Sequence, residues 1–579
     1  MNEAVRTIVS ANPAVRNRSA ESLFRGRPRD EIIRSVRALD EFRRGSDNLY
    51  HRVRASLLVF AALRIRLLND PALPGGGRLP RRAVRRLRTA DWEGAIRILS
   101  PLLARRPAAP AASALAEAHY RLAFDSLLRQ VKLSIGRSAG NEWLFSAASL
   151  ADYPLRLRPE CLARGRPAGD FPVGIDLCPV RIDPCHSGWS DIFFLAMDYP
   201  EGARVVNLSV DIAAGERRRP RPPIECLSRV IPKPLIRLVS RDLGAAAEIR
   251  RLPDLFHFED DPLRLLKAGV IASGVVPPAL DKSDVRLGDL LRRLAGPGRG
   301  IEIVTHVRDL PTGSRMAVST ALLNAVITRL MRMTGQVREL TGGLSEAERR
   351  LVLSRTILGE WLGGSGGGWQ DSGGLWPGIK IFSGARAERG DAEFGLSRGR
   401  LLPRVRVIPP RELPPDIEEK LAAGLVLVHG GMAQNVGPVL EMATEKYLLR
   451  YGKEWRARRR EKGYFRGIVR ALIRGDLREL GRRASEDWEG GTKVIIPQAT
   501  NAYTEDLIAR MKRSFGARCR GFLMLGGAAG GGMAFVVDPR IRALFARTVA
   551  ETMKDLQRKY FRANSAGGEI KPSGKGKPP

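Results

Sequence analysis

The sequence predicts an α+β protein: a helical N-terminal region followed by two parts that mix strands and helices. Three observations carry this reading. Up to about residue 165 the apolar side chains recur at helical spacing; from about 170 short β-branched runs appear, bounded by Gly, Pro and Asp; and amphipathic stretches separate those runs.

Taken in order, "RDEIIRSVRALDEFRRGSDNLYHRVRASLLVFAALRIRLL" has the helical period. After the breaker "PALPGGGRLP", the stretches "RTADWEGAIRILSPLL" and "ASALAEAHYRLAFDSLLRQVKLSIG" predict a helical hairpin. The first of these is similar to a tetratricopeptide helix, but a single copy makes no repeat. A scaffold layer, able to form a homo-oligomer through its helices, is the expected role of residues 1–165. Strands are expected in "FPVGIDLCPVRID", "ARVVNLSVDIA" and "IEIVTHVRD", and helices in "AVSTALLNAVITRLMRMTG" and "EAERRLVLSRTILGEWL". Beyond about 400 the expected order is strand "LAAGLVLVHG", helices "GPVLEMATEKYLLRYG" and "NAYTEDLIARMKRSFG", then strands "RGFLML" and "MAFVVD". Domain boundaries fall at 1–165, 166–395 and 396–560. The Gly/Pro/Lys-rich segment 561–579 reads as a disordered tail.

Composition bounds the function. The 579 residues, 44% hydrophobic and 27% charged, suit globular protein. A formal net charge of +35 favours polyanions, yet the arginines are scattered and aromatics are only 6%, too few to interleave stacking platforms with the basic residues. No helix-turn-helix, zinc-finger or RNA-recognition motif stands out, so no dedicated nucleic-acid partner is expected. The five cysteines are odd in number and irregularly spaced, which suits a reducing compartment. Cys178, Cys185 and His186 are neighbours without the CxxC spacing of a zinc site. The first residues lack the apolar core of a signal peptide, and the longest apolar run, "LLVFAAL", is too short to span a bilayer. The expectation is a cytoplasmic protein with no membrane partner.

Three glycine-rich places could meet around a phosphorylated ligand. In "LPTGSRMAVSTALLNAVITRL" a Pro/Gly/Ser loop runs into a helix, whose N-terminus offers unpaired N–H groups and the positive end of the dipole. Ser319 and Thr320 can cap that helix or offer a hydroxyl to Mg²⁺. In "SRTILGEWLGGSGGGWQDSGGLWPGIK" two carboxylates, Glu360 and Asp371, flank a glycine run; one can hold Mg²⁺ and the other act on a substrate hydroxyl. In "GGAAGGGMAFVV" glycines precede a strand, where backbone must approach something closely.

In combination these segments resemble the GHMP kinases, among them galactokinase, homoserine kinase, mevalonate kinase and phosphomevalonate kinase, and within that group the L-fucokinase type. "PVRIDPCHSGWSDIFFLAMDYPEGARVVNLSVDI" is similar to the first motif, "LPTGSRMAVSTALLNAV" stands where the phosphate loop belongs, and "EWLGGSGGGWQDSGGLWPGIK" matches the fucokinase Gly-Gly-Gly-Trp-Gln-Asp string. "MLGGAAGGGMAFVV" resembles the third motif. The four keep the family's order over about two thirds of the chain. The resemblance implies a two-domain fold, with a ribosomal S5-like domain followed by a ferredoxin-like one, and ATP-dependent phosphorylation of a small-molecule sugar, with ATP and Mg²⁺ required. It implies Asp371 as base or orienting carboxylate for the anomeric hydroxyl of L-fucose or a related sugar, with Arg181 near the transferring phosphoryl group. Glu360, Ser319 and Thr320 would hold Mg²⁺. Gly313, Ser314, Ser319, Gly530 and Gly531 would line the nucleotide. Asp191, Trp189 and Gln370 would meet the sugar, with Asp183 and Asn207 bracing the pocket.

The pattern also breaks. Arg315, Met316, Ala317 and Val318 replace the family's Gly-Leu-Gly-Thr, and a Cβ there can forbid the dihedrals that wrap a triphosphate; Arg315 can compensate as a phosphate ligand. "PCHSGWSDIFF" departs from Ala-Gly-Gly-Trp-Ser-Asp-Thr-Pro-Pro, Gly431 stands where the family has Arg, and the chain after Asp371 is one residue shorter than the family's. Besides the sugar kinase, two readings stay open: a GHMP-fold protein that binds a sugar, sugar nucleotide or partner with little or no kinase activity, and a heptose-phosphate kinase, whose branch shares the Gln-Asp motif. The Trp of Gly-Trp-Ser-Asp and that of Gly-Trp-Gln-Asp point to fucokinase. Bifunctional members carry a GDP-fucose pyrophosphorylase on the N-terminal side; residues 1–165 are too short and too helical for one, so that activity is not expected.

Overall fold

A computed structural model describes residues 1–147, 149–163, 170–186, 203–213, 219–311, 313–364, 367–391, 393–429, 437–525 and 532–561. It is an α+β protein of two compact units. The first comprises Met1–Leu310, Met316–Ile408 and Val436–Phe465; the second, Pro311–Arg315, Pro409–Asn435 and Arg466–Pro579.

Helices make up the early part of the first unit. Arg29–Arg44 and Leu49–Ala61 lead to the expected hairpin, Trp92–Arg105 and Ala109–Arg137. The hairpin starts where it does because Asp91 caps the first helix, its Oδ1 accepting from the Gly94 N–H at 2.8 Å. The apolar faces of these helices close one core with residues far along the chain: Leu58, Leu122 and Ile135 belong to the same buried cluster as Leu323, Ile357 and Trp369. The compact unit thus runs straight across residue 165, and the helical region packs in the same unit as Glu360 and Asp371.

Arg355 fastens that region. It is buried at 1% exposure, and its guanidinium donates to Asn141 Oδ1 at 2.9 Å, to Gly140 O at 3.0 Å and to Ser273 O. Asn141 in turn donates to Ser354 Oγ. No carboxylate is among these partners, and burial pushes the Arg355 guanidinium down to about 9, which still leaves it charged at neutral pH.

Two sheets complete the first unit. One has the order β1-β4-β7-β5-β6, formed by Gly174–Cys178, Ile224–Ile231, Gly300–Val307, Ile236–Ser240 and Ala245–Ile249. Its pairs are antiparallel except β5 with β7. The other runs β2-β3-β8-β9, formed by Val180–His186, Arg204–Val210, Ile379–Ser383 and Arg404–Val407, antiparallel throughout. Two helices connect β7 to β8: Val318–Met333, and Glu346–Gly363 with a capping box of Ser345 and Glu348.

The second unit holds the antiparallel sheet β10-β12-β11, from Leu425–His429, Gly532–Val537 and Cys519–Met524, with helices Leu477–Asp487, Ala502–Phe515 and Arg542–Phe561. Of the expected strand "LAAGLVLVHG" only Leu425–His429 is extended; Ile417–Gly424 is helix with no side-chain cap. Among the described residues no helix is long and apolar enough to cross a membrane. The tail 561–579 lies outside the described residues beyond Phe561.

Replacing Arg355 by Met should cost about 3 kcal/mol of stability, because three acceptors lose a charged donor in a buried place. Urea unfolding followed by circular dichroism would read this as a lower midpoint; an unchanged midpoint would mean the helical region is held by apolar packing alone.

Candidate active site

The site of the first unit begins with strand register. In the β2–β3 pair Arg181 stands opposite Ser209, and in the β3–β8 pair Asn207 stands opposite Lys380. Opposite residues share a face, and alternate residues on one strand do too. Arg181, Ser209, Asn207 and Lys380 therefore line one face of the sheet. Between Ile182 and Cys185 the register shifts. Asp183 and Pro184 sit at that irregularity, where a residue without an N–H can be accommodated.

A 3-10 turn, Trp369–Leu375, lies on this polar face. Asn207 Nδ2 donates to Gln370 O at 3.0 Å, and Ser209 Oγ reaches Gly373 O at 3.1 Å and Trp376 O at 2.7 Å. The approach is close enough to dictate composition: a Cβ at Gly373 would lie 2.0 Å from Asn207 Oδ1.

The turn delivers Asp371 to Arg181. Arg181 Nε donates to Asp371 Oδ1 at 3.0 Å, with a second, shorter bond from the guanidinium to the same oxygen. On its other side Arg181 meets Asp183 Oδ2 at 2.8 Å, while Asp183 Oδ1 accepts from Asn207 Nδ2 at 2.7 Å. Asn207 is fully buried and Asp183 and Arg181 nearly so. Burial works against the Arg181 cation, but Asp183 and then Asp371 outweigh it and hold the guanidinium above its ordinary pKa. Asp183, Asn207 and Gln370 are thus brought to one place with Arg181 and Asp371.

Glu360 joins them through the glycine run. It has no exposed surface; Oε1 accepts from Thr320 Oγ1 and Oε2 from the Gly367 N–H at 2.9 Å. The next amide, Gly368 N–H, donates to Asp371 Oδ2 at 2.6 Å. Two consecutive glycine N–H groups thus hold the two carboxylates. A Cβ at Gly367 would sit 2.6 Å from both Glu360 Cδ and Thr320 Oγ1, so glycine alone fits.

The expectation that Ser319 or Thr320 caps the helix is corrected. The helix starts at Val318, its N-cap is Ala317, and no side chain caps it. Thr320 spends its hydroxyl on Glu360, and Ser319 is half-buried in the first turn. In the loop before this helix Gly313, Arg315 and Ala317 have φ of +82°, +62° and +59°. Arg315 and Ala317 thus take the left-handed backbone that a Cβ discourages, at about 1–2 kcal/mol each. The substitutions have not flattened the loop. Within the second unit a Cβ on Gly532 would fall 2.1 Å from Ser314 O, so the strand of the third motif closes directly on this loop. Trp189, Asp191, Gly530 and Gly531 lie outside the described residues.

Among the described residues there is no group of three or more His, Cys, Asp or Glu placed to hold a metal. The donor set that remains, the Glu360 carboxylate with the Thr320 hydroxyl, is all hard oxygen. It fits an ion such as Mg²⁺ that keeps waters and takes further ligands from phosphate.

Sequence reasoning did not single out Ser209 or Lys380 as site residues. Lys380 has no exposed surface and donates to Ser209 Oγ at 2.6 Å, Trp376 O at 3.0 Å and Gly378 O at 3.1 Å. The available signal was a lone lysine between two isoleucines in the β-branched run "GIKIFS".

No family model matches the chain. Over 379 residues it is 24% identical to the L-fucokinase/L-fucose-1-P guanylyltransferase of Bacteroides fragilis, covering 64% of this chain and 35% of that protein. Over 279 residues it is 27% identical to the bifunctional fucokinase/GDP-fucose pyrophosphorylase of Arabidopsis thaliana, covering 48% of this chain and 22% of that protein. The chain therefore spans about a third and about a fifth of these curated relatives. Among solved structures it is similar to a D-glycero-D-manno-heptose 1-phosphate kinase from Bacteroides thetaiotaomicron, with a TM-score of 0.41 and 16% identity over 66% of this chain and 93% of that one. It is also similar to Lactococcus lactis galactokinase complexed with galactose, with a TM-score of 0.44 and 13% identity over 66% and 90%. By its sequence relatives the chain is similar to proteins of the fucokinase type.

Because Ala317 carries left-handed strain, Ala317→Gly should stabilise the protein by about 0.5–1 kcal/mol, the steric relief exceeding glycine's added chain entropy. Differential scanning calorimetry checks it. A lower Tm for the variant would contradict the left-handed loop.

Proposed function

We propose that this chain transfers the γ-phosphoryl group of ATP to a sugar hydroxyl, the anomeric hydroxyl of L-fucose or a related sugar. The observation that carries the reading is the pairing of Asp371 with Arg181 on the sheet face, joined to Glu360 by the consecutive amides of Gly367 and Gly368. The fucokinase-type relatives supply the substrate class.

Asp371 acts on the acceptor. Arg181 and the Gly368 N–H both donate to its carboxylate, which fixes its orientation and leaves further lone pairs for a sugar O–H. The hydroxyl hands its proton toward Asp371 as its oxygen bonds to the γ-phosphorus, the bond from that phosphorus to the bridging oxygen breaks, and ADP leaves. Arg181 fixes the carboxylate and sets a cation beside the charge that develops, which is the kind of help phosphoryl transfer uses most. Asp183 and Asn207 keep Arg181 and the turn in place. Glu360, Thr320 and Ser319 would hold Mg²⁺, which when bound neutralises phosphate charge. Ala317 and the uncapped start of its helix offer backbone N–H groups to the phosphates.

Asp371→Asn should lower kcat for sugar phosphorylation by about a hundred- to ten-thousandfold while the KM for Mg·ATP stays within about threefold. A coupled assay of ADP release over a panel of hexoses, deoxyhexoses and heptose phosphates measures both and identifies the acceptor. Equal turnover by the Asn variant would remove Asp371 from the chemistry. Turnover only with a heptose phosphate would move the substrate to that class.

A further inference from the structure

The buried charges on the sheet face do not end at Arg181. Lys380, opposite Asn207, is a fully buried ammonium group whose three acceptors come from three places: Ser209 Oγ on β3, Trp376 O at the end of the 3-10 turn, and Gly378 O at the start of β8. Three donated bonds are the whole capacity of an ammonium and one more than a neutral amine has. Ser209, which accepts from Lys380, donates its own O–H to Gly373 O or Trp376 O, again on the turn. Lys380 and Ser209 together therefore clamp the C-terminal half of the turn whose N-terminal half holds Asp371.

Charge balance points the same way. Arg181 faces two carboxylates, Asp183 and Asp371, so that trio carries one excess negative charge. Lys380 supplies the missing positive charge, and Asp183 is the carboxylate that favours its protonation. The other groups around it are the Cys178 thiol, which burial pushes up to about 12 so that it is uncharged at neutral pH, and Val407, opposite on β9.

We propose that Lys380 is a positioning residue for the transfer step: as an ammonium it locks the turn that carries Asp371 onto the sheet, and when deprotonated it releases that turn. This rests on the kinase reading above for its kinetic consequence, but not for its structural one. Burial lowers the Lys380 ammonium to about 7, against which Asp183 pulls upward. Below that pH the ammonium form and its three bonds dominate; above it one bond is lost and the trio keeps its excess charge. The turn is thus tight on the acid side of neutrality and loose on the alkaline side.

The test uses the full chain, Lys380→Met, and Ser209→Ala as a second variant that removes an acceptor without touching charge. Hydrogen exchange read by mass spectrometry on peptides spanning 367–378, corrected for the intrinsic pH dependence of exchange, is expected to give the wild type about tenfold more protection at pH 6 than at pH 8.5. Lys380→Met should show the same low protection at both values, and Ser209→Ala an intermediate loss at pH 6. In the sugar-kinase assay Lys380→Met should lower kcat by about ten- to a hundredfold, with KM for Mg·ATP little changed and the alkaline fall in kcat near pH 7 abolished. Wild-type protection that does not vary with pH would overturn the proposal, as would Lys380→Met protection equal to wild type at pH 6. If Lys380→Met does not fold, the wild-type pH comparison and Ser209→Ala still decide. A wild type without turnover would sink the kinase reading, and the exchange data would stand or fall on their own.

Discussion

One guanidinium organises the site. Arg181 is buried between Asp183 and Asp371, and each of those carboxylates belongs to a different layer: the first to the strand itself, the second to the turn laid over it. Taking three charges out of water is costly, and only close geometry returns that cost. The irregularity in β2 at Asp183, the Asn207 amide bridging Asp183 to Gln370 O, and the small Gly373 that lets the turn descend on Asn207 all serve that closeness. Removing any one would strand a buried charge or lift the turn. The ion triad is thereby assembled without a ligand, the kind of pre-set geometry that an orientation-governed reaction uses.

The glycine run has a matching reason. Its amides at Gly367 and Gly368 point in succession at Glu360 and Asp371, fixing the spacing of two carboxylates that would otherwise repel. At Gly367 the absence of Cβ is what counts. In the loop at 313–317 the logic is reversed. There Arg315 and Ala317 hold the glycine-like backbone in spite of their Cβ atoms, so the shape that matters is kept by the surroundings at some cost in strain.

Much of this was legible in the chain. Arg181, Asp183, Asn207, Glu360, Gln370 and Asp371 were all marked by motif and all meet, because motif residues encode contacts that are short in space though long in sequence. The hairpin Trp92–Ala109 onward was legible because its cap and period are local. Other features were not. The strand Ala245–Ile249, "AAAEI", has the propensity of a helix and is extended only because β5 pairs with it. The dihedrals of Arg315 and Ala317 could not be read, since residue type argued against them. Lys380 ends the motif string "EWLGGSGGGWQDSGGLWPGIK" but was given no role there; its burial depends on the turn closing over it, a tertiary fact. Ser319 and Thr320 resembled a cap, and only the approach of Glu360 decides where the Thr320 hydroxyl goes.

The central claim is that the uncapped helix start at Val318 and the paired carboxylates serve a nucleotide. Isothermal titration calorimetry of Mg·ATP and Mg·ADP into the full chain tests it most directly. The account predicts one site per chain with a dissociation constant between about 1 µM and about 1 mM, retained when Asp371 is replaced by Asn because the proposal assigns that residue to the acceptor. No heat of binding at millimolar Mg·ATP would contradict it and leave a kinase-like fold kept for binding something else.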